Sequence, residues 1–333
     1  MRVLIRELRS DERGVASTVG TIMALLVFLT FLSLIVNQYV PVWMKDSEAA
    51  HMNTALGNFG SLKGAIDLQV LAAQAARNAG AFYIPTTASA AIGLGVDGVP
   101  IFAAPTIGTL RSTPDSGPFT VRFDYLIKGV PTPVREQSNG TIDLDVANRY
   151  YLPQRVAYEN GAVIRYQGDG QVVRAQPTFA VIKTNNSLDI SFGLVSLYGS
   201  GAIAGTSVEI VNTQVFAFDR QDYSGFANDA IIWINHTSRY GQAWYAFLNQ
   251  TLADALKLGG TFSSGALGMT FTATIGGGLW VYQISSLFNP NTGLYIMQLK
   301  IHNNALVMPL SVFRLQHAQV QVGIGENTQN VQF

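Results

Sequence analysis

No charged side chain occurs from Val15 through Met44, a run of 30 positions of which 22–36 are almost wholly Leu, Ile, Val, Phe and Met. At about 1.5 Å per residue the run spans about 45 Å as a helix, more than the ~30 Å hydrocarbon core of a bilayer. Any fold of this chain must therefore place one long apolar helix in lipid or against other apolar helices. Four arginines (Arg2, Arg6, Arg9, Arg13) precede the run among Glu7, Asp11 and Glu12. Basic residues ahead of a span predict an N-terminus inside and a C-terminal domain outside the cell. Asn37, Gln38, Tyr39, Pro41 and Trp43 read as its exit at the membrane interface, where amphipathic rings and irregular backbone are tolerated.

Three processing schemes fit such a segment: a cleaved secretory signal, an uncleaved signal anchor, and a leader cut on the inner face. A secretory signal needs a small-x-small site after the apolar stretch, but here Lys45-Asp46-Ser47-Glu48 follow. At the front, the chain reads Asp11-Glu12-Arg13-Gly14-Val15-Ala16-Ser17-Thr18-Val19. A charged residue and a glycine immediately before an apolar helix resembles the class III signal peptides of archaeal type IV pilins and archaellins. The resemblance implies cleavage by a prepilin peptidase between Gly14 and Val15, with Arg13 before the cut and the helix retained in the mature protein. It also implies a dual-use segment, held in membrane lipid before assembly and packed against copies of itself or other pilin-like subunits afterwards. Val19, Ile22, Leu25, Leu26, Phe28, Leu29, Leu32, Ile35 and Val36 would carry that packing. Val19 stands where many bacterial pilins have glutamate, and archaeal relatives often lack that residue.

Beyond the anchor, Met52, Leu56, Phe59, Leu62, Ile66 and Val70 recur three or four residues apart, which keeps them on one helical face. Gly57, Gly60 and Gly64 form a neighbouring stripe that would admit close approach by another element. Each glycine costs a helix about 1 kcal/mol relative to alanine. Asn78-Ala79-Gly80, with Pro85 soon after, supplies a stop. Residues 15–80 thus read as one helix, apolar all round from 15 to 44 and amphipathic from 45 to 80, a division that pilins share.

From Asp97 onward, short apolar or alternating runs punctuated by Gly, Pro, Asn and Asp read as strands and turns. Asn160-Gly161 is a hairpin turn between 155–158 and 162–167, because both residues tolerate positive φ. Trp244, Phe247, Leu248, Leu252 and Ala255 lie on one face of an inserted helix ending at Gly259-Gly260, which should cover a sheet. The expected fold is α+β: a leader over 1–14, the long helix, then a mainly antiparallel β-sandwich-type ectodomain with a soft division into 81–185 and 186–333. Asn148-Arg149-Tyr150-Tyr151 and residues 158–164 are loosely similar to ectodomains of archaeal pilin-like proteins.

Lys plus Arg equals Asp plus Glu at 21 each, so no net field attracts nucleic acid. Cysteine is absent, which removes disulfides, thiolate metal sites and a cysteine nucleophile. Asn139, Asn185, Asn235 and Asn249 begin Asn-x-Ser/Thr triplets, candidate glycan acceptors of an exported domain, expected on exposed loops except Asn249, which falls in the inserted helix. Asp219, Asp222 and Asp229, with Asn228, form a weak oxygen-ligand cluster for a hard cation without matching the EF-hand spacing. Gly93-Leu94-Gly95-Val96-Asp97-Gly98 matches a dinucleotide fingerprint but is followed by Pro100 and Pro105 instead of a helix, and reads as a flexible turn. The four histidines are scattered, and no P-loop, H-E-x-x-H or G-x-S-x-G motif occurs. The expectation is a structural, non-enzymatic, surface-displayed subunit without cofactor. The alternative is a single-pass anchored extracellular binding protein that does not polymerise.

Overall fold

The structure is a computed structural model that describes residues 2–184, 187–305 and 307–325. One helical rod comprises α1 (Arg2–Leu34), a π-helical turn at Ile35–Tyr39 and α2 (Val40–Asn78). Proline inside an α-helix removes one hydrogen bond and crowds the carbonyl four residues back. Here Pro41 follows a wider turn in which the Val40 N–H reaches back five residues to the Ile35 carbonyl, so the rod continues through it. The backbone irregularity expected near Asn37 to Trp43 is thus a widened turn at Ile35–Tyr39. At the far end Gly80 takes φ +66°, its N–H donates to Arg77 O, and the Ala81 N–H donates to Ala76 O. That is the expected glycine stop.

The remainder is β-rich. The first sheet has the order β1 (Ala88–Gly93), β12 (Val208–Tyr223), β18 (Leu310–Ile324), β10 (Ser187–Tyr198) and β9 (Phe179–Thr184). The second runs β11 (Gly201–Gly205), β2 (Gly108–Thr113), β5 (Thr141–Val146), β6 (Gln154–Glu159), β7 (Ala162–Gln167) and β8 (Gly170–Ala175). The third runs β14 (Gly260–Ser264), β15 (Gly268–Ile275), β16 (Leu279–Asn289), β17 (Leu294–His302), β13 (Ile231–Ser238), β3 (Phe119–Ile127) and β4 (Val130–Ser138). Among the described residues pairing is antiparallel except for β10 against β18. The chain is therefore α+β, a long apolar N-terminal helix followed by a sandwich-like β domain. Asn160 and Gly161 make the expected hairpin turn at φ +45° and +80°.

The soft division near residue 185 does not separate two bodies. β9 and β10, which flank it, pair with each other, and each sheet mixes strands from both sides of it. Long-range pairing, such as β3 with β13 and β1 with β12, interweaves the halves. α3 (Gly241–Leu256) buries Trp244, Leu248, Leu252 and Leu256 in the core under the third sheet, with Phe247 and Ala255 half-buried. Its end is set by Lys257 at φ +52°, two residues before the expected glycines.

Two hydrophobic cores result. In one, α2 packs on the first and second sheets through Met52, Ala55, Phe59, Leu62 and Ile66. In the other, α3 and the inner face of the third sheet meet the leading halves of β10 and β18. The glycine stripe of α2 faces away from both: a Cβ on Gly57, Gly60 or Gly64 would meet nothing within 4 Å, so no element among the described residues uses the close approach. The glycines after β1 are also not a flexible turn. A Cβ on Gly95 would lie 2.2 Å from Thr106 O, and one on Gly98 2.0 Å from Ala103 O, because Val96 and Thr106 form a tight bridge there.

Candidate functional site

The most exposed apolar surface is the free part of the rod. Val19, Ile22, Leu25, Leu26, Phe28, Leu29 and Val36 are exposed, and Leu32 and Ile35 half-exposed, on every side of the helix. Burying one such side chain is worth about 1.5–3 kcal/mol, so water is a poor medium for this segment. The helix first becomes buried at Val40. Residues 17–39 are thus bare over about 34 Å, matching one membrane span or signal sequence in length. A polar line interrupts them: Thr30 Oγ1 donates to Leu26 O at 2.7 Å, and Asn37 Nδ2 donates to Ser33 Oγ at 3.0 Å. Arg13, Gly14 and Val15 lie within α1.

The other half of the rod is clamped to the β domain by two buried polar side chains. Glu48 accepts from Thr106 Oγ1 (2.6 Å) and from three consecutive backbone N–H groups, Arg149 (3.0 Å), Tyr150 (2.9 Å) and Tyr151 (2.6 Å). Burial by itself would raise this carboxyl, but the Thr106 hydroxyl and the three backbone donors outweigh it and bring it below the usual glutamate range. The Asn148-Arg149-Tyr150-Tyr151 segment singled out in the sequence is therefore the anion-binding turn that receives the helix. Further along, Gln69 Oε1 accepts from Val215 N (2.6 Å) and Nε2 donates to Thr213 O (3.1 Å). β1 reaches β12 only as far as Thr213, so the Gln69 amide extends the ladder as a further peptide group would. Arg77 and Asp219 close the last turn of α2.

A cleft of about 480 Å³ lies between the second and third sheets and includes Arg111, Asp143, Arg155, Arg239 and Tyr240 in its walls. Its floor is Glu159, almost wholly buried and fully engaged. Oε1 accepts from Trp244 Nε1 (2.8 Å), His236 Nε2 (2.9 Å) and Ser238 Oγ (3.0 Å), and Oε2 from Thr141 Oγ1 (3.1 Å). His236 Nδ1 faces the Pro118 carbonyl at 3.1 Å, an acceptor only, so both ring nitrogens are occupied. Next in sequence, Asn160 accepts from Ser138 Oγ and Val195 N and donates to Gly193 O. The cluster pins the three sheets together. Burial pushes the Asp143 carboxyl up against the opposing pull of Arg155 and Arg111. Nothing in the sequence joins Glu159, His236 and Arg155, because their convergence depends on sheet order.

The other sequence candidates are dispersed. Asp219 and Asp222 lie within β12, where an offset of three places them on opposite faces; they pair with Arg77 and with Arg314, while Asp229 contacts His302 in a separate loop. Among the described residues no group of three His, Cys, Asp or Glu side chains could hold a metal ion. The asparagines of the described Asn-x-Ser/Thr triplets do not lie on exposed loops. Asn139 is half-buried in a two-residue connection, Asn235 is in mid-strand accepting from Gln298, and Asn249, on α3, accepts from Tyr282. Strand pairing and helix packing, which a triplet does not report, put them there. Asn185 lies outside the described residues.

With this geometry in hand, comparison with family models, curated proteins and solved structures finds no match to the chain.

Proposed function

We propose that this chain is a pilin-like structural subunit of the archaeal type IV kind, processed after Gly14, membrane-inserted by its apolar helix and assembled through that helix with copies of itself or related subunits for adhesion or display. The observation that carries the reading is the division of one rod into a bare apolar half and a half clamped by Glu48 and Gln69. A rigid joint between an insertable helix and a head is what a subunit needs if it is to leave lipid and stack without losing its head. Apolar helices lose little on leaving lipid when they bury against one another. The sequence before Val15 supports the processing step by resemblance. In this reading the β domain, with balanced charge, is presented outside the cell and performs no catalysis.

The cleft above Glu159 favours a second reading, an anchored receptor that never polymerises, since concave sites of this size with a few convergent polar groups are where small ligands bind. Shearing cells that express the chain separates the two. The pilin reading expects it in extracellular filaments with a helical repeat and an N-terminus at Val15. Protein that stays wholly in the membrane fraction and begins at Met1 would overturn it.

A further inference from the structure

We propose that the outer face of the third sheet binds an acidic polysaccharide, gripped by a cross-strand row of cations centred on Trp233. Strand register places Gln283, Lys300, Trp233, Arg122 and Arg135 directly opposite one another on β16, β17, β13, β3 and β4. Alternation then sends all of them to one face, the one turned away from the core residues Ile232, Ile234, Leu299 and Val121. Trp233 stands between two cations: the Lys300 ammonium is 4.6 Å and the Arg122 guanidinium carbon 4.7 Å from its ring centroid. The ring holds both charged groups beside it on the sheet surface. Among the described residues, Lys300, Arg122 and Arg135 have no carboxylate within ion-pair distance, whereas Arg77, Arg155, Arg220 and Arg314 all do. A dent of about 430 Å³ lies beside Trp233 between Arg122 and Arg135, and Asp124 is the carboxylate on its rim.

Two residues along each strand, a second row repeats the register with uncharged side chains: Ser285, Gln298, Asn235, Thr120 and Gln137. Gln298 donates to Asn235 across the strands at 3.1 Å. Strands lie about 4.8 Å apart and the two rows about 7 Å apart. The face therefore offers a cationic line beside a hydroxyl-and-amide line, complementary to a chain with carboxylates or sulfates along one side and hydroxyls along the other. A nucleic acid carries a denser charge, which proteins meet with a broad basic surface, and this chain as a whole is neutral. A second copy in two-fold register would set like charges against each other.

The inference is independent of polymerisation and is tested on the full chain solubilised as monomers in detergent. Binding is measured to polygalacturonate, to dextran of similar length and to single-stranded DNA, for the native chain and for a variant combining Arg122→Gln, Arg135→Gln and Lys300→Gln. The proposal expects polygalacturonate to bind in a salt-sensitive manner and dextran not to. It expects the triple variant, melting at the native temperature, to lose about tenfold or more in affinity, since charge-assisted hydrogen bonds are the stronger kind, and Lys300→Arg alone to keep it. Polygalacturonate binding that is absent, unchanged in the triple variant, or matched by DNA would overturn the assignment. So would a variant that binds normally but no longer self-associates.

Discussion

Glu48 has a disproportionate role for a single side chain. Its carboxylate, itself buried, accepts from three consecutive backbone N–H groups, so replacing it strands those donors at a part-buried turn. Glu48→Gln retains one acceptor but turns an amide donor toward other donors, and is expected to cost about 2–4 kcal/mol. The sign of its pH effect follows from linkage. The folded-state value lies below the unfolded one, so this stability is fully present above the ordinary glutamate value of about 4.3 and is withdrawn as pH falls through the lowered value. Burial also holds His51 and His317 below the usual imidazole range, so their contribution begins to fade earlier, as pH drops below about 6.5. Thermal melts of the full chain from pH 7 to pH 3 should show an acid loss in two stages, with the lower stage flattened in Glu48→Gln. An unchanged lower stage would show that the clamp carries no proton-linked stability. Asp219 and Asp222 are also depressed, by Arg77 and by Arg314 overcoming desolvation, but both are substantially exposed and screened by solvent.

At the scale of the element, the bare helix makes its own prediction. Thr30, Ser33 and Asn37 recur at spacings of three and four and form a polar line on an apolar cylinder, their hydroxyl and amide groups hydrogen-bonded within the helix. In lipid such side chains serve as contacts between helices, each worth about 1 kcal/mol. Asn37→Leu should therefore leave membrane insertion intact while reducing cross-linking between copies in the membrane; an unchanged cross-linking yield would place the contact on another face. The rod was legible in the sequence because uncharged length and a three-to-four spacing are local properties. So was the hairpin at Asn160-Gly161, where two residues with positive φ decide the turn. The glycine stripe misleads for a related reason: spacing reports which residues share a face, not whether another element comes to that face. Similarly, proximity in sequence grouped Asp219 with Asp222, and strand alternation separates them.

At the scale of the whole molecule, what could not be read was the order of strands. Among the described residues β10 and β18 are the sole parallel pair; they are more than a hundred residues apart in the chain, and nothing in either segment names the other. Their pairing, more than any local feature, decides that the head is one body. The two strands run through both cores: Leu194 and Phe313 pack under the third sheet, and Leu197 and Val320 pack with α2. Glu159 and Asn160 repeat the arrangement in polar form, joining strands from all three sheets. Because interior packing is dense, loosening one core must disturb strands on which the other depends. Leu194→Ala and Leu197→Ala, one in each core, are each expected to cost about 2–5 kcal/mol. Both should lower a single melting transition in the full chain, followed by the circular dichroism of the sheets and, in a background carrying Trp43→Phe, Trp233→Phe and Trp280→Phe, by the fluorescence of Trp244 beneath the third sheet. Two separate domains would behave differently, with Leu197→Ala shifting a transition that Trp244 does not report. Coincident curves from both probes in both variants are the expected result, and a split in Leu197→Ala would mean that the cores melt independently despite the strands they share.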